Sequence, residues 1–111
     1  MDITQHELGD GLAILRLVGK VNMVSAPLLR HCISTAVAEG WTRLAVDLSR
    51  VDFLDSSGLG ALINGLKTAR LAGGDLRISG PNEQVRLVLQ LTNLDGLLII
   101  VDRAETAFAD G

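Results

Sequence analysis

The chain has 111 residues, enough for one small domain, and is 48% apolar but only 3% aromatic (Phe53, Phe108 and Trp41), so its core must be aliphatic. Thirteen acids against ten bases give a net charge near −3, which argues against a nucleic-acid binder, a class that needs a basic face and stacking aromatics. Two histidines and one cysteine exclude a zinc cluster and an intrachain disulfide.

The N-terminus, Met1-Asp2-Ile3-Thr4-Gln5-His6-Glu7, shows neither a basic start nor an apolar run. The apolar stretch Leu97–Val101 is far too short to cross a bilayer. The expectation is a cytoplasmic protein without membrane insertion, one domain over residues 1–111. Ile3–Leu8 and Leu12–Val18 read as strands paired through the Gly9-Asp10-Gly11 turn, and Gly19 breaks the second. Ser25 is placed as the N-cap of a first helix, with Pro27 in its first turn. Leu28, Leu29, Cys32, Ile33, Ala36 and Val37 form its buried stripe, and Gly40 ends it. Leu44–Leu48 is a third strand. A second helix runs from about Ser57 to Ala72, closed by Gly73-Gly74. Leu76–Ser79 is a fourth strand, and Asn82 caps a third helix carrying Val85, Leu87, Val88, Leu89 and Leu91. Leu97–Val101 is a fifth strand, followed by a short last helix over Ala104–Ala109. The order ββαβαβαβα implies an α/β domain with a mixed, mostly parallel sheet; the order of strands within it does not follow.

Catalytic constellations are absent. No Gly-rich turn ends in Gly-Lys-Ser/Thr, and Gly58-Leu59-Gly60 lacks the third glycine of a dinucleotide fingerprint because Ile63 stands there. His6 and His31 read as exposed residues, and Cys32 as a packed thiol. Asp47, Asp52 and Asp55 surround the third strand, where acids can hold a divalent cation and accept a phosphoryl group. The initial hairpin and the lack of a late lysine oppose that use, since the lysines are Lys20 and Lys67. No cofactor, metal or catalytic residue is expected.

The informative segment is Asp55-Ser56-Ser57-Gly58-Leu59-Gly60. A Ser or Asp before a helix is first of all an N-cap. Yet Gly58 and Gly60 fall in the helix's first turn and Gly65 in its middle, each costing up to about 1 kcal/mol relative to Ala. Small size there suggests that something approaches closely. Leu59, Leu62, Ile63 and Leu66 share one face; Ser57, Ala61, Asn64 and Thr68 share the other, small and uncharged where a solvated face would be rich in charge. Ser56, just before the helix, is expected at the end of an exposed loop. A phosphate there adds about −1.5 to −2 charges at pH 7 and could release a partner without altering the fold.

Val46-Asp47-Leu48-Ser49-Arg50-Val51-Asp52-Phe53-Leu54-Asp55-Ser56-Ser57-Gly58-Leu59-Gly60 resembles the signature of STAS domains, above all the stand-alone bacterial anti-sigma factor antagonists. Gly73-Gly74-Asp75-Leu76 and Leu91-Thr92-Asn93-Leu94 extend the likeness. The resemblance implies a partner switch. An anti-sigma factor that is also a serine kinase phosphorylates Ser56, a metal-dependent serine phosphatase resets it, and the unphosphorylated antagonist binds the anti-sigma factor. Asp55, Ser57, Gly58, Leu59 and Gly60 would surround Ser56 in the contact surface, with Ala61 and Asn64 further along the helix. The family commonly reads Gly-Glu-hydrophobic-Asp before a Ser/Thr-Ala-Pro helix start. Here Ser25-Ala26-Pro27 fits, but Lys20 and Asn22 replace the two acids. Lys20 reverses charge at the expected contact edge, which implies either a solvated lysine or a partner with complementary acids. The alternative within the same fold is a non-switching STAS subunit of a transporter or stress-signalling scaffold.

Overall fold

The computed structural model describes residues 1–92 and 96–109. Five strands form one sheet in the order β1-β2-β3-β4-β5: β1 (Asp2–Gly9), β2 (Leu12–Val21), β3 (Arg43–Leu54), β4 (Asp75–Ser79) and β5 (Ile99–Val101). β1 pairs antiparallel with β2 through the expected turn, and the remaining pairs are parallel. The crossovers carry α1 (Ala26–Ala38), α2 (Ser56–Leu71) and α3 (Glu83–Leu91). Parallel crossovers are right-handed, so strands added in sequential order place all three helices on one face.

That face holds the main core. Leu15 and Leu17 of β2, Val46 and Leu48 of β3 and Ile78 of β4 meet Leu29 and Ile33 of α1, Leu62 and Leu66 of α2 and Val85 and Leu89 of α3. Each fully buried leucine or isoleucine contributes about 1.5–3 kcal/mol. Alternate residues Ile14 and Ala45 point to the opposite face, where Ala104, Ala107 and Phe108 cover them. Arg77 holds that cover down, with its guanidinium 4.5 Å from the Phe108 ring centre and Nη1 donating to the Ala107 carbonyl at 2.7 Å.

Gly40 ends α1 as expected. Its φ is +98°, its N–H reaches the Val37 carbonyl, and the Trp41 N–H reaches Ala36. Asn82 caps α3, accepting the Val85 N–H at 2.9 Å. Other boundaries differ. β5 is shorter than Leu97–Val101, and the Ala104–Ala109 segment holds only a single 3₁₀ turn over Ala104–Thr106. Leu28, expected on the buried stripe of α1, is exposed, as are Leu87 and Leu91 of α3. Of the matched Leu91-Thr92-Asn93-Leu94 run, Asn93 and Leu94 lie outside the described residues.

The largest correction concerns the lengths of β2 and β3. Gly19 does not break β2; at φ +110° it stays in the strand, which runs on to Val21. β3 continues past Leu48 to Leu54. Register slips between Arg16 and Val18 and between Gly19 and Lys20 set β3's buried residues three apart, at Leu48, Val51 and Leu54. Bulges thus erase the two-residue alternation that marks a strand.

On the helix-free face Arg16 donates to Asp47 and, at 2.7 Å, to Glu105. Burial opposes ionisation of Asp47, but the Ser49 hydrogen bonds and Arg16 outweigh it and hold the carboxyl below the ordinary range. The Arg16 hydrogen bond likewise lowers Glu105. A depressed folded-state pKa adds stability above the unfolded pKa, which is lost as pH falls through the folded value. Stability is therefore expected to fall below about pH 4, and Asp47→Asn to flatten part of that fall. Urea denaturation across the acid range checks this; parallel pH profiles for the two proteins would refute it.

Candidate functional site

β4 accompanies β3 only as far as Asp47, whereas β2 follows it to Leu54. The paired tails form a two-stranded tongue beyond the sheet. Its free edge is satisfied by α3: Asn82 Nδ2 donates to the Val51 carbonyl at 3.1 Å, and Gln84 both accepts from the Leu54 N–H at 3.2 Å and donates to its carbonyl at 3.3 Å. These side chains replace the missing strand, because a buried backbone polar group without a partner is costly. The tongue ends on Val21 and Leu54 side by side. It therefore sets the turn at residues 22–25 next to the start of α2.

Asp55 joins the two. One carboxylate oxygen accepts the Gly58 N–H at 2.9 Å as the N-cap of α2, the other accepts the Met23 N–H at 3.2 Å, and the Asp55 N–H donates to the Val21 carbonyl. A cap of this kind is worth about 1 kcal/mol. Asn22 caps the turn on the opposite side, its Oδ1 accepting from the Val24 and Ser25 N–H groups at 3.0 and 3.2 Å. Ser25 is not the side-chain cap expected for α1. Its backbone is already helical, and its hydroxyl donates to the Lys20 carbonyl at 2.7 Å and accepts from the Asn22 N–H at 2.9 Å. Asp55, Asn22 and Ser25 thus build the site internally, while Lys20 is exposed beside them.

Ser56 does not precede the helix on a loop. It is the first residue of α2, directly after the strand and its cap, and is exposed. Its hydroxyl has no hydrogen-bond partner among the described residues. Ser57 is half-buried and Asn64 exposed. Ala61 is fully buried, so it offers no surface to a partner. The buried stripe of α2 is Gly58, Leu59, Ala61, Leu62, Gly65, Leu66 and Ala69, wider than the face expected.

The glycines also change meaning. A Cβ on Gly58 would stand 2.4 Å from the Val21 carbonyl oxygen, and one on Gly65 would stand 2.7 Å from Ile33 Cδ1. What approaches closely is the chain's own β2 and α1, not a partner. Gly60 differs, being half-exposed, and a Cβ there would meet only the Arg30 guanidinium at 3.3 Å.

The outer surface is an open groove of about 430 Å³ between α1 and α2, lined by Arg30, Ser56, Leu59, Gly60, Ile63, Asn64 and Lys67. Neither cation has an ion-pair partner among the described residues. Sequence reasoning gave Arg30 no role, because the α1–α2 packing that brings it to α2 is not local. The available signal was that Ala26–Ala38 and Ser56–Leu71 contain no acid, although the chain is net acidic. Beside the groove Met23 and Val24 stand out, 73% and 85% exposed.

Other candidate chemistry disperses. Asp47 is engaged by Arg16 on the far face, Asp52 is exposed, Asp55 is a cap, and no group of three metal-ligating side chains occurs among the described residues. His6 and His31 are exposed. Cys32 is half-buried, and burial raises its thiol pKa, away from reactive thiolate character. Among the described residues no helix is long and apolar enough to cross a membrane.

The sequence matches the STAS domain family over residues 4–107. A candidate anti-sigma factor antagonist of Thermotoga maritima is 31% identical over 106 residues, 95% of this chain and 94% of that one. A crystal structure of a candidate anti-sigma factor antagonist from Thermotoga maritima superposes with a TM-score of 0.88 at 30% identity, covering 97% of this chain and 92% of the other. The anti-sigma-B factor antagonist of Bacillus subtilis is 28% identical, over 82% of this chain and 83% of its own. A crystallised anti-sigma factor antagonist of Mycobacterium paratuberculosis gives a TM-score of 0.82 at 29% identity, over 98% and 93% of the two chains.

Proposed function

This chain belongs to the STAS domain family, and from that premise we propose that it is an anti-sigma factor antagonist whose binding is switched at Ser56. The carrying observation is an exposed, unpartnered hydroxyl at the head of α2, on a helical surface without acids. Relatives named as anti-sigma factor antagonists span nearly the same length, which supports this role for the whole chain. Unphosphorylated, the protein presents Ser56, the groove and the Met23-Val24 shoulder to an anti-sigma factor that is also a serine kinase. Phosphorylated, it leaves that partner until a serine phosphatase restores the hydroxyl. The chain's own part is positional: Asp55 and the tongue fix Ser56, and the buried glycines keep α2 tight against its neighbours.

Intact-mass measurement and site mapping of the protein from its native cell tests the reading. One phosphate on Ser56, varying with growth condition, is expected. A stable stoichiometric complex with no phosphate under any condition would instead indicate a non-switching subunit.

A further inference from the structure

We infer that Arg30 is a built-in counter-ion for a phosphate on Ser56: the chain carries its own phosphate seat in the α1–α2 groove. This rests on the reading of Ser56 as the modified residue. The Arg30 guanidinium lies over Gly60, with Nη2 3.3 Å from where a Cβ would stand. Gly60 follows Ser56 by four residues, one turn on the same helix face, where side-chain origins are about 5–6 Å apart. Ser56, Gly60 and Arg30 line the same groove. Gly60 adds no side chain of its own to the groove, and Arg30 has no competing ion pair among the described residues.

A guanidinium fork matches phosphate oxygens and stays charged at any relevant pH. Among the other charged or titratable groups on the surrounding elements are His31 on α1, Asp52 on β3, Asp55 before Ser56, Lys20 near the end of β2, and Lys67 and Arg70 on α2. Lys67 lies eleven residues beyond Ser56, about 16 Å along the helix axis, and so adds field rather than contact. Asp55 is turned toward the Gly58 and Met23 N–H groups. Pairing stabilises the free phosphorylated protein. A partner that fills the groove must break the pair, so the pairing adds to release.

The test needs no kinase. Phosphoserine is installed at position 56 during translation, and the phosphate is titrated by ³¹P NMR. An isolated phosphoserine has its second pKa near about 6. In the phosphorylated protein it is expected near about 5, because the Arg30 cation and the N-terminus of α2 both favour the dianion. Arg30→Gln should return a clear part of that shift, the helix N-terminus keeping the rest, and Lys67→Gln should return little of it. Melting curves of the unmodified variants confirm that they fold. A titration unchanged by Arg30→Gln would overturn the proposal. A normal Arg30-dependent shift with a partner indifferent to the phosphate would leave the seat standing and refute the switch.

Discussion

Ser56→Glu is expected to weaken binding to the anti-sigma factor by about a hundred- to several-thousand-fold, while Ser56→Ala binds about as well as the natural protein. A charge covered by a partner without a matching cation costs about 3–5 kcal/mol, and about 1.4 kcal/mol is tenfold in affinity. The favourable effect of a helix N-terminus on an anion, about 0.3–2 kcal/mol, is too small to cancel this and is present in the free protein as well. Pairing with Arg30 stabilises the unbound variant and so acts in the same direction. Ser56 is exposed at the first position of α2, so neither change disturbs the core. Titration calorimetry of both variants against the anti-sigma factor decides it. Equal affinities would refute release by charge.

Gly58→Ala is expected to lower stability by about 2 kcal/mol, and the melting temperature by about 5–15 °C. Two effects oppose each other. Alanine favours a helix by about 1 kcal/mol over glycine. Overpacking a filled site costs about 1–3 kcal/mol, occasionally more. The Cβ would stand 2.4 Å from the Val21 carbonyl oxygen and 2.7 Å from both Val21 Cγ1 and Leu54 Cδ1. That carbonyl cannot retreat without loosening the Asp55 N–H bond it accepts. The steric cost therefore sits at the upper end and wins. Gly60→Ala is the control. Its only near neighbour is the end of a flexible arginine, so helix propensity dominates and stability should hold or rise. Thermal melts of the pair are decisive: Gly58→Ala melting at or above the natural protein would show that the helix is not seated tightly.

The contrast between these glycines marks where sequence reading reached and where it stopped. Three glycines in one helix signalled close approach, correctly. Only packing reveals that Gly58 and Gly65 face the chain itself and that Gly60 faces the groove. Much of the helical stripes, the hairpin, the cap at Asn82 and the presence of a Ser or Asp cap before α2 are legible because they depend on residues within a turn or two. The tongue was not, because bulges shifted β3's buried residues to a spacing of three and Gly19 looked like a terminator. Without the tongue, Ser56 reads as the end of a loop. Ala61 reads as surface from the sequence yet is buried, because α2 packs against both α1 and the sheet and more of its circumference is covered than a one-sided helix would show. Arg30 was invisible for the same reason: nothing within α1 says that it lies over Gly60.

The sequential strand order also bears on the order in which the molecule is made. Each strand lies beside the one synthesised just before it, so the hairpin is local, each parallel pairing spans a single crossover, and the early pairings need not wait for the C-terminus. Lys20, Ser56, Arg30 and Lys67 all emerge before β4 is complete. Asn82 and Gln84, which satisfy the open edge of β3, come later. Until they arrive, the tongue carries an unpaired strand edge of the kind that associates with other chains. A nascent chain would thus hold the residues of the proposed switch before it holds their support, and α3 is the element that ends this vulnerable interval.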